Sequence, residues 1–155
     1  THADWNRPGY MLYGASPLNT FHGDGLDLVP VMTLTSEIMA IHDVPPGEGP
    51  GYGQRWITDK PTRIGTISAG YGDGYPRHAP NGTPVLVNGK RVPLAGTVSM
   101  DMITVDLGGH EEVKVGDPVE LWGKNLCVNE VAAHAGTIGY EILAGMTSRV
   151  PRIFS

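Results

Sequence analysis

The chain has 155 residues, of which 40% are hydrophobic and 17% are charged, and its formal net charge is −5 at pH 7. This length and composition predict one globular domain with a buried core and argue against intrinsic disorder. A negative charge without any cluster of Lys and Arg argues against a nucleic-acid partner, whose phosphates need a basic face. No apolar run approaches the roughly 20 residues of a membrane span.

The termini and the cysteine content bear on the cellular compartment. The single cysteine, Cys127, precludes an internal disulfide and agrees with a cytoplasmic location. The N-terminus has neither the basic start nor the apolar core of a signal peptide. It also lacks an initiator Met, so Thr1 to Trp5 reads as an interior part of a longer protein.

Short β-prone runs dominate the chain, separated by 22 glycines and 13 prolines. This pattern is typical of strands joined by tight turns, so the sequence predicts a mainly β fold. Asn88-Gly89 predicts a hairpin, because both central residues of a type I′ turn need positive φ. Pro45 to Gly53 is predicted as a turn-rich connection. The predicted strands are Val31 to His42, Thr62 to Ala69, Pro84 to Val87, Arg91 to Leu94, Val98 to Leu107, Val119 to Trp122 and Arg149 to Phe154.

The C-terminal third has a different, helical character. Val128 to Ala135 predicts a short helix that Gly136 ends as its C′ residue. Thr137 is expected to cap a second short helix, Ile138 to Ala144, which ends at Gly145. The fold class is therefore mainly β, with one or two short helices near the C-terminus.

Most motifs for metal binding and catalysis are missing. The six histidines lack the i, i+4 spacing of a zinc-binding helix, so we expect no metal site. Residues His22 to Asp27 match a calcium loop only in part, because the later acidic ligands are absent, and are interpreted as a surface loop. No nucleophile elbow, Walker loop or dinucleotide fingerprint occurs.

The most informative motif is the octapeptide Gly70-Tyr71-Gly72-Asp73-Gly74-Tyr75-Pro76-Arg77, which directly follows a predicted strand. Glycines reach backbone angles that other residues rarely adopt, and they leave room around the phenol for a ligand. The same residues also fit a tight turn that carries a surface aromatic. Taken alone, the motif leaves both interpretations open.

Four motifs in order resemble landmarks of the alanine racemase family. They are Arg7-Pro8-Gly9-Tyr10-Met11-Leu12-Tyr13-Gly14, the octapeptide, Gly96-Thr97-Val98-Ser99-Met100-Asp101-Met102, and Ala135-Gly136-Thr137-Ile138-Gly139-Tyr140-Glu141. The resemblance implies a pyridoxal 5′-phosphate enzyme with an N-terminal (β/α)₈ barrel and a C-terminal, β-barrel-like domain, acting on alanine as a head-to-tail homodimer. Residues 1–17 would then be the tail of the first domain, and residues 18–155 would be the second.

The resemblance implies that Tyr71 and Met100 reach the active site of the partner subunit. Tyr71 would be the base that acts on L-alanine, and Met100 would offer its backbone amide near the substrate carboxylate. An ordinary phenol has a pKa of about 10 and is mostly protonated at neutral pH. Its surroundings would therefore have to lower this pKa, or a neighbour would have to take the proton.

The resemblance also implies cofactor-binding roles. Arg7 would face the pyridine nitrogen and keep it unprotonated, which weakens the ring as an electron sink. Gly9 and Tyr10 would offer backbone amides to the cofactor phosphate, which the Tyr140 hydroxyl would also reach. The family's second base, a lysine that forms a Schiff base with the cofactor, belongs to the barrel domain. We therefore expect this chain alone to be inactive.

Other interpretations remain open from the residues. Without the resemblance, Arg7 is a surface charge, Tyr140 a half-buried core aromatic and Met100 a core side chain. A racemase of broader specificity with the same architecture, or a non-catalytic β-barrel interaction module with Tyr71 as a binding hot spot, would also fit. A decarboxylase of this architecture is disfavoured, because Cys127 lies in no comparable glycine-rich site.

Overall fold

The structure is a computed structural model that describes residues 4–18, 27–51, 53 and 55–154. In this part of the chain, six strands precede two short α-helices. The strands are β1 (Leu34–Val44), β2 (Thr62–Ile67), β3 (Pro84–Val87), β4 (Lys90–Pro93), β5 (Ile103–Asp106) and β6 (Pro118–Trp122), and the helices are α1 (Val128–Ala135) and α2 (Gly139–Ala144). Two 3-10 helices, Tyr10–Tyr13 and Tyr71–Asp73, are also described. The predicted mainly β class is confirmed.

The strands form one antiparallel sheet that nearly closes into a barrel. Their order is β4-β3-β6-β1-β2-β5, and the two outer strands come together where Leu94 pairs with Val105. Next to this bridge the Ala95 amide donates to the Thr104 carbonyl oxygen at 2.8 Å. Closure of this kind leaves few unpaired strand edges. The predicted barrel-like domain is therefore confirmed.

The long strand β1 joins the two halves of the barrel. Its residues Leu34 to Glu37 pair with β6, whereas Ile38 to Val44 pair with β2. The register is irregular in both ladders, and in the second one Met39 is passed over between Ile38 and Ala40. Bulges of this kind bend a strand and increase its twist, which lets a single strand turn the corner of a barrel.

The core fills the barrel and the space beneath α1. All four residues of β3 are buried, and in α1 the buried apolar side chains recur at Val128, Val131, Ala132 and Ala135. This i, i+3, i+4, i+7 spacing places them on one face of the helix. None of the described helices has the length and apolar composition needed to cross a bilayer.

Local turn signals in the sequence were confirmed. Asn88 and Gly89 have φ of 51° and 75° and connect β3 to β4, and Gly136 ends α1 with φ of 69°. The capping role of Thr137 was wrong: Ile138 is the N-cap of α2, and the Thr137 hydroxyl instead donates to the Glu141 carboxylate. The predicted loop at His22 to Asp27 lies outside the described residues except for its last position.

Two of the predicted strands need correction. Arg149 to Phe154 forms no strand, and the side chains of its last two described residues are more than nine-tenths exposed. Pro151 has no amide hydrogen to donate to a strand ladder, and none of the described strands pairs with this segment. The predicted strand Val98 to Leu107 is shortened to β5, because Ser99 turns the chain by donating its amide to the Met102 carbonyl oxygen at 3.0 Å.

Tyr10 ties the N-terminal segment to both helices. Its buried hydroxyl donates to Asn129 Oδ1 at 2.5 Å, and its ring stacks on Tyr140 with centroids 3.9 Å apart. Burial raises the pKa of the Tyr10 phenol above its ordinary value, which keeps the hydroxyl a donor. Asn129 also donates to the Ser16 carbonyl oxygen at 2.8 Å. Glycine is required at position 139, because a Cβ there would lie 1.7 Å from the Tyr10 hydroxyl oxygen.

Truncating the centre of the barrel should destabilise it strongly. Leu121 is fully buried in β6, which pairs with β1 on one side and β3 on the other. Leu121→Ala should lower the free energy of unfolding by about 3 kcal/mol, because the cavity cannot collapse between paired strands. Val115→Ala, at an exposed position, should change it by less than about 0.5 kcal/mol. Urea denaturation curves of the two variants test this, and equal midpoints would contradict the assignment of Leu121 to the core.

Adding a methyl group beneath Tyr10 should disturb the N-terminal segment. Gly139→Ala should cost about 2 to 3 kcal/mol, because the new Cβ displaces the Tyr10 hydroxyl and breaks its buried hydrogen bond to Asn129. Ser148→Ala, at an exposed position in the same part of the chain, is the control. Thermal melting compares the variants, and a Gly139→Ala protein as stable as the control would show that this contact is not tight.

Candidate functional site

The octapeptide folds into a turn that presents Tyr71. Gly70 is extended, residues Tyr71–Asp73 form one 3-10 turn, and Gly74 follows with φ of 109°, in the left-handed region that favours glycine. The Asp73 carboxylate accepts the Gly70 amide hydrogen at 2.9 Å and closes the turn. The Tyr71 side chain is 43% exposed. The motif is therefore a tight turn and also a site where a phenol is accessible to a ligand.

The glycines of this turn are required mainly by a neighbouring segment. A Cβ at Gly70 would lie 2.4 Å from the carbonyl oxygens of Ser99 and Met100, and one at Gly72 would lie 3.0 Å from the latter oxygen. The Tyr71 amide donates to the Ser99 carbonyl oxygen at 3.0 Å, and the Gly72 amide donates to that of Met100 at 2.9 Å. The two motifs are therefore held together through their backbones.

Strand register explains why these motifs meet. Ile67 at the end of β2 is paired with Ile103 at the start of β5. The octapeptide follows the first residue and the Met100 segment precedes the second, so both leave the barrel at the same edge. Met100 is 50% exposed there, which excludes a role as a core side chain.

A cavity of about 810 Å³ lies at this edge, and we call it the tyrosine cavity. This volume is within the range of small-molecule sites. Its lining residues are Pro50, Gly51, Gly53, Arg55, Thr66, Tyr71, Arg77, residues 97–102 and Thr104.

The charges at the tyrosine cavity favour an anionic group. Among the described residues, Arg55 and Arg77 line it with a single carboxylate, that of Asp101, which is already paired with Arg149 at 2.6 Å. The Arg77 guanidinium carbon lies 5.9 Å from the centre of the Tyr71 ring, within the range of a cation–π contact. A small molecule with a carboxylate therefore suits this cavity electrostatically.

The remaining predicted residues form a second group, the N-terminal cluster of Arg7, Gly9, Tyr10 and Tyr140. Gly9 precedes the first 3-10 helix, where the first amide groups have no partner within the helix. Open space surrounds the position of a Cβ at Gly9. Tyr140 is half exposed and stacked on Tyr10, and its hydroxyl makes no hydrogen bond to any described residue. Amide groups at the start of a 3-10 helix, a free tyrosine hydroxyl and an exposed arginine two residues before Gly9 in sequence are groups that suit a phosphate-bearing cofactor.

The structure brings Tyr71 and Met100 together, and it brings Tyr10 and Tyr140 together. Within the described part of the chain, no member of the N-terminal cluster lines the tyrosine cavity. No group of three or more His, Cys, Asp or Glu side chains among the described residues is arranged to hold a metal ion. The two groups are therefore separate surfaces of one chain.

Sequence reasoning missed several residues of the tyrosine cavity. Gly51 and Gly53 line it, although Pro45 to Gly53 was interpreted only as a connection. The available signal was Gly51-Tyr52-Gly53, a second tyrosine between two glycines; Tyr52 itself lies outside the described residues. Arg77, the last residue of the octapeptide, was quoted but given no role.

A comparison with protein families and a comparison with individual proteins agree with each other. The family described as "Alanine racemase, C-terminal domain" matches residues 31–154. The alanine racemase of Nitrosomonas eutropha is 59% identical over 153 residues, which cover 99% of this chain and 42% of that protein.

Solved structures agree with the sequence comparison. The biosynthetic alanine racemase from Pseudomonas aeruginosa matches with a TM-score of 0.96 and 56% identity, over 99% of this chain and 43% of that one. The alanine racemase from Bartonella henselae with covalently bound pyridoxal phosphate matches with a TM-score of 0.86 and 34% identity, over 95% of this chain and 40% of that one. The chain spans about two fifths of the length of these relatives. By its sequence and its fold, the chain belongs to the alanine racemase C-terminal domain family.

Proposed function

We propose that this chain is the C-terminal domain of a pyridoxal 5′-phosphate-dependent alanine racemase that interconverts L- and D-alanine by two-base proton transfer. The observation that carries the proposal is the tyrosine cavity, where an accessible phenol lies beside two arginines that can attract a substrate carboxylate. The relatives named alanine racemase support the choice of alanine. A racemase of broader specificity with the same architecture is the alternative.

Racemisation needs two proton-transfer groups, one on each side of the α-carbon. The cofactor, when bound, supplies the electron sink that makes the α-proton acidic. Tyr71 would hold or accept a proton on one side, and Met100 would orient the carboxylate through its backbone amide. None of the four lysines, all of them described, lines the tyrosine cavity. The second base would therefore come from the longer protein, and we expect this polypeptide by itself to be inactive.

The separation of the two groups supports a head-to-tail homodimer. Tyr71 and Met100 would complete the site of the partner subunit, while the N-terminal cluster would serve the site of its own subunit. Two large apolar side chains that line the tyrosine cavity, Met100 and Met102, are about half exposed. Contact with another subunit would cover them.

The N-terminal cluster would hold the cofactor. The Gly9 and Tyr10 amides and the Tyr140 hydroxyl would bind its phosphate, and Arg7 would face its ring nitrogen. The stack on Tyr10 fixes the direction of the Tyr140 side chain before a ligand arrives. We place the enzyme in the cytoplasm, because its single cysteine, Cys127, cannot form an internal disulfide that would need an oxidising compartment.

Tyr52 is a second candidate for the tyrosine base. Its sequence neighbours Gly51 and Gly53 both line the tyrosine cavity, and they flank Tyr52 as Gly70 and Gly72 flank Tyr71. Tyr71, by contrast, lines both the tyrosine cavity and a neighbouring cavity beside α2, which places it on the rim between them. The two tyrosines can be separated by experiment.

Removing the hydroxyl of the base should affect the two alanine enantiomers differently. In the full-length enzyme, Tyr71→Phe should slow exchange of the α-hydrogen of L-alanine with solvent deuterium by about 100-fold or more, while D-alanine still exchanges. Tyr52→Phe should then leave both exchange rates within a few-fold, as should the control Tyr13→Phe. NMR of the alanine α-hydrogen measures these rates.

The pattern of exchange decides between the candidates. Selective loss of L-alanine exchange in Tyr52→Phe, but not in Tyr71→Phe, would assign the base to Tyr52 and leave Tyr71 a role at the rim. Equal loss for both enantiomers in either variant would reject its assignment as a one-sided base. No loss in any variant would reject a tyrosine base altogether.

Removing the Tyr140 hydroxyl should weaken cofactor binding. Tyr140→Phe keeps the ring that stacks on Tyr10 but deletes a hydrogen bond to a charged phosphate, so affinity for pyridoxal 5′-phosphate should fall by about 10-fold or more. Titration of the full-length apoenzyme by absorbance measures the dissociation constant, with Tyr13→Phe as control. An unchanged constant would remove Tyr140 from the phosphate site.

A further inference from the structure

The segment that follows α2 packs against the Tyr71 turn. The Thr147 hydroxyl donates to the Gly72 carbonyl oxygen at 2.8 Å, and the Thr147 amide donates to that of Asp73 at 3.2 Å. A Cβ at Gly74 would lie 2.5 Å from the Gly145 carbonyl oxygen. This C-terminal segment is therefore in backbone contact with the turn along its length.

Arg149 extends this contact to the Met100 segment. Its Nε lies 3.4 Å from Asp73 Oδ1, and its Nη2 donates to Asp101 Oδ1 at 2.6 Å. Its Nη1 lies over Gly72, 2.3 Å from where a Cβ would be. Asp73 belongs to the turn that carries Tyr71, and Asp101 is the neighbour of Met100 in sequence. One guanidinium therefore bridges the two segments that form a wall of the tyrosine cavity.

The Asp73 carboxylate links this bridge to the conformation of the turn. One of its oxygens, Oδ2, accepts the Gly70 amide hydrogen at 2.9 Å, while Oδ1 faces Arg149. A shift of Arg149 would therefore pull on the hydrogen bond that closes the turn. The Asp73 side chain is only 17% exposed, so this end of the bridge is partly shielded from water.

The geometry requires an arginine. Its planar guanidinium presents donors in fixed, divergent directions, whereas a lysine ammonium is a single point on a flexible chain. The ion pair with Asp101 is exposed, and exposed pairs contribute little to global stability. The main effect of this bridge is therefore to fix the relative position of the two segments, and its effect on the stability of the whole fold is small.

We propose that Arg149 is a positioning residue that holds the Tyr71 turn and the Met100 segment in the relation that proton transfer requires. The inference rests on the proposed racemase function. Small displacements of reacting groups reduce rates strongly even when binding is preserved. Loss of Arg149 should therefore lower kcat with little effect on the KM for alanine.

The kinetic test uses the full-length holoenzyme and a double-mutant cycle. Arg149→Met and Arg149→Lys should each lower kcat by about 10-fold, with KM changed by less than about 2-fold. Arg149→Met combined with Asp101→Asn should be no slower than Arg149→Met alone, because both changes remove one interaction. Lys90→Met, which breaks the exposed pair with Glu112 elsewhere, should keep the wild-type kcat.

A second readout does not depend on activity. Hydrogen exchange of the Tyr71 and Gly72 amides, which donate to Ser99 and Met100, should be faster in Arg149→Met and unchanged in Lys90→Met. Exchange within β3 should stay the same in both. If the wild-type enzyme fails to racemise alanine, the proposed function is wrong. The exchange rates of the Tyr71 and Gly72 amides would still show whether Arg149 holds the two segments together.

Three results would overturn the inference. They are wild-type kcat and exchange in Arg149→Met, rescue of kcat by Arg149→Lys, and losses in Arg149→Met and Asp101→Asn that simply add. A fall in melting temperature large enough to unfold Arg149→Met at the assay temperature would assign it a structural role instead.

Discussion

The close approach of two backbone segments, residues 70–72 and 99–100, is the constraint on which the candidate site depends. Two amide groups of the first segment donate to two carbonyl oxygens of the second, and glycine at position 70 is the residue that lets them meet. Any side chain there would press on the carbonyl oxygens of Ser99 and Met100 and separate Tyr71 from Met100. This wall of the tyrosine cavity therefore requires glycine at position 70.

The barrel supplies the frame for this contact. Pairing of Ile67 with Ile103 brings the octapeptide and the Met100 segment to one edge, and the bridge between Leu94 and Val105 closes the sheet next to it. The C-terminal segment then packs on the turn from the other side through Thr147. Because strands are rigid relative to loops, a site assembled at the ends of paired strands has defined geometry.

The tyrosines of this chain have different environments and suit different tasks. Tyr10 is buried, and the raised pKa of its phenol suits a structural hydrogen-bond donor that anchors the N-terminal segment to Asn129. Tyr140 is stacked on it with an accessible hydroxyl, and Tyr71 is exposed beside an arginine. Among the described residues, no member of the N-terminal cluster lines the tyrosine cavity, so the chain carries two candidate surfaces, and in the proposed homodimer each would serve a different active site.

Local features, which depend only on residues close together in the chain, could be predicted from the sequence by itself. The Asn88-Gly89 turn and the end of α1 at Gly136 could be predicted, because both depend on backbone angles that particular residues favour. The order of the four motifs along the chain pointed to the family. Only the tertiary structure decided the rest. Arg149 meets Asp101 across 48 positions, and Tyr10 meets Asn129 across 119. Such contacts depend on strand register and barrel closure, which no local pattern encodes.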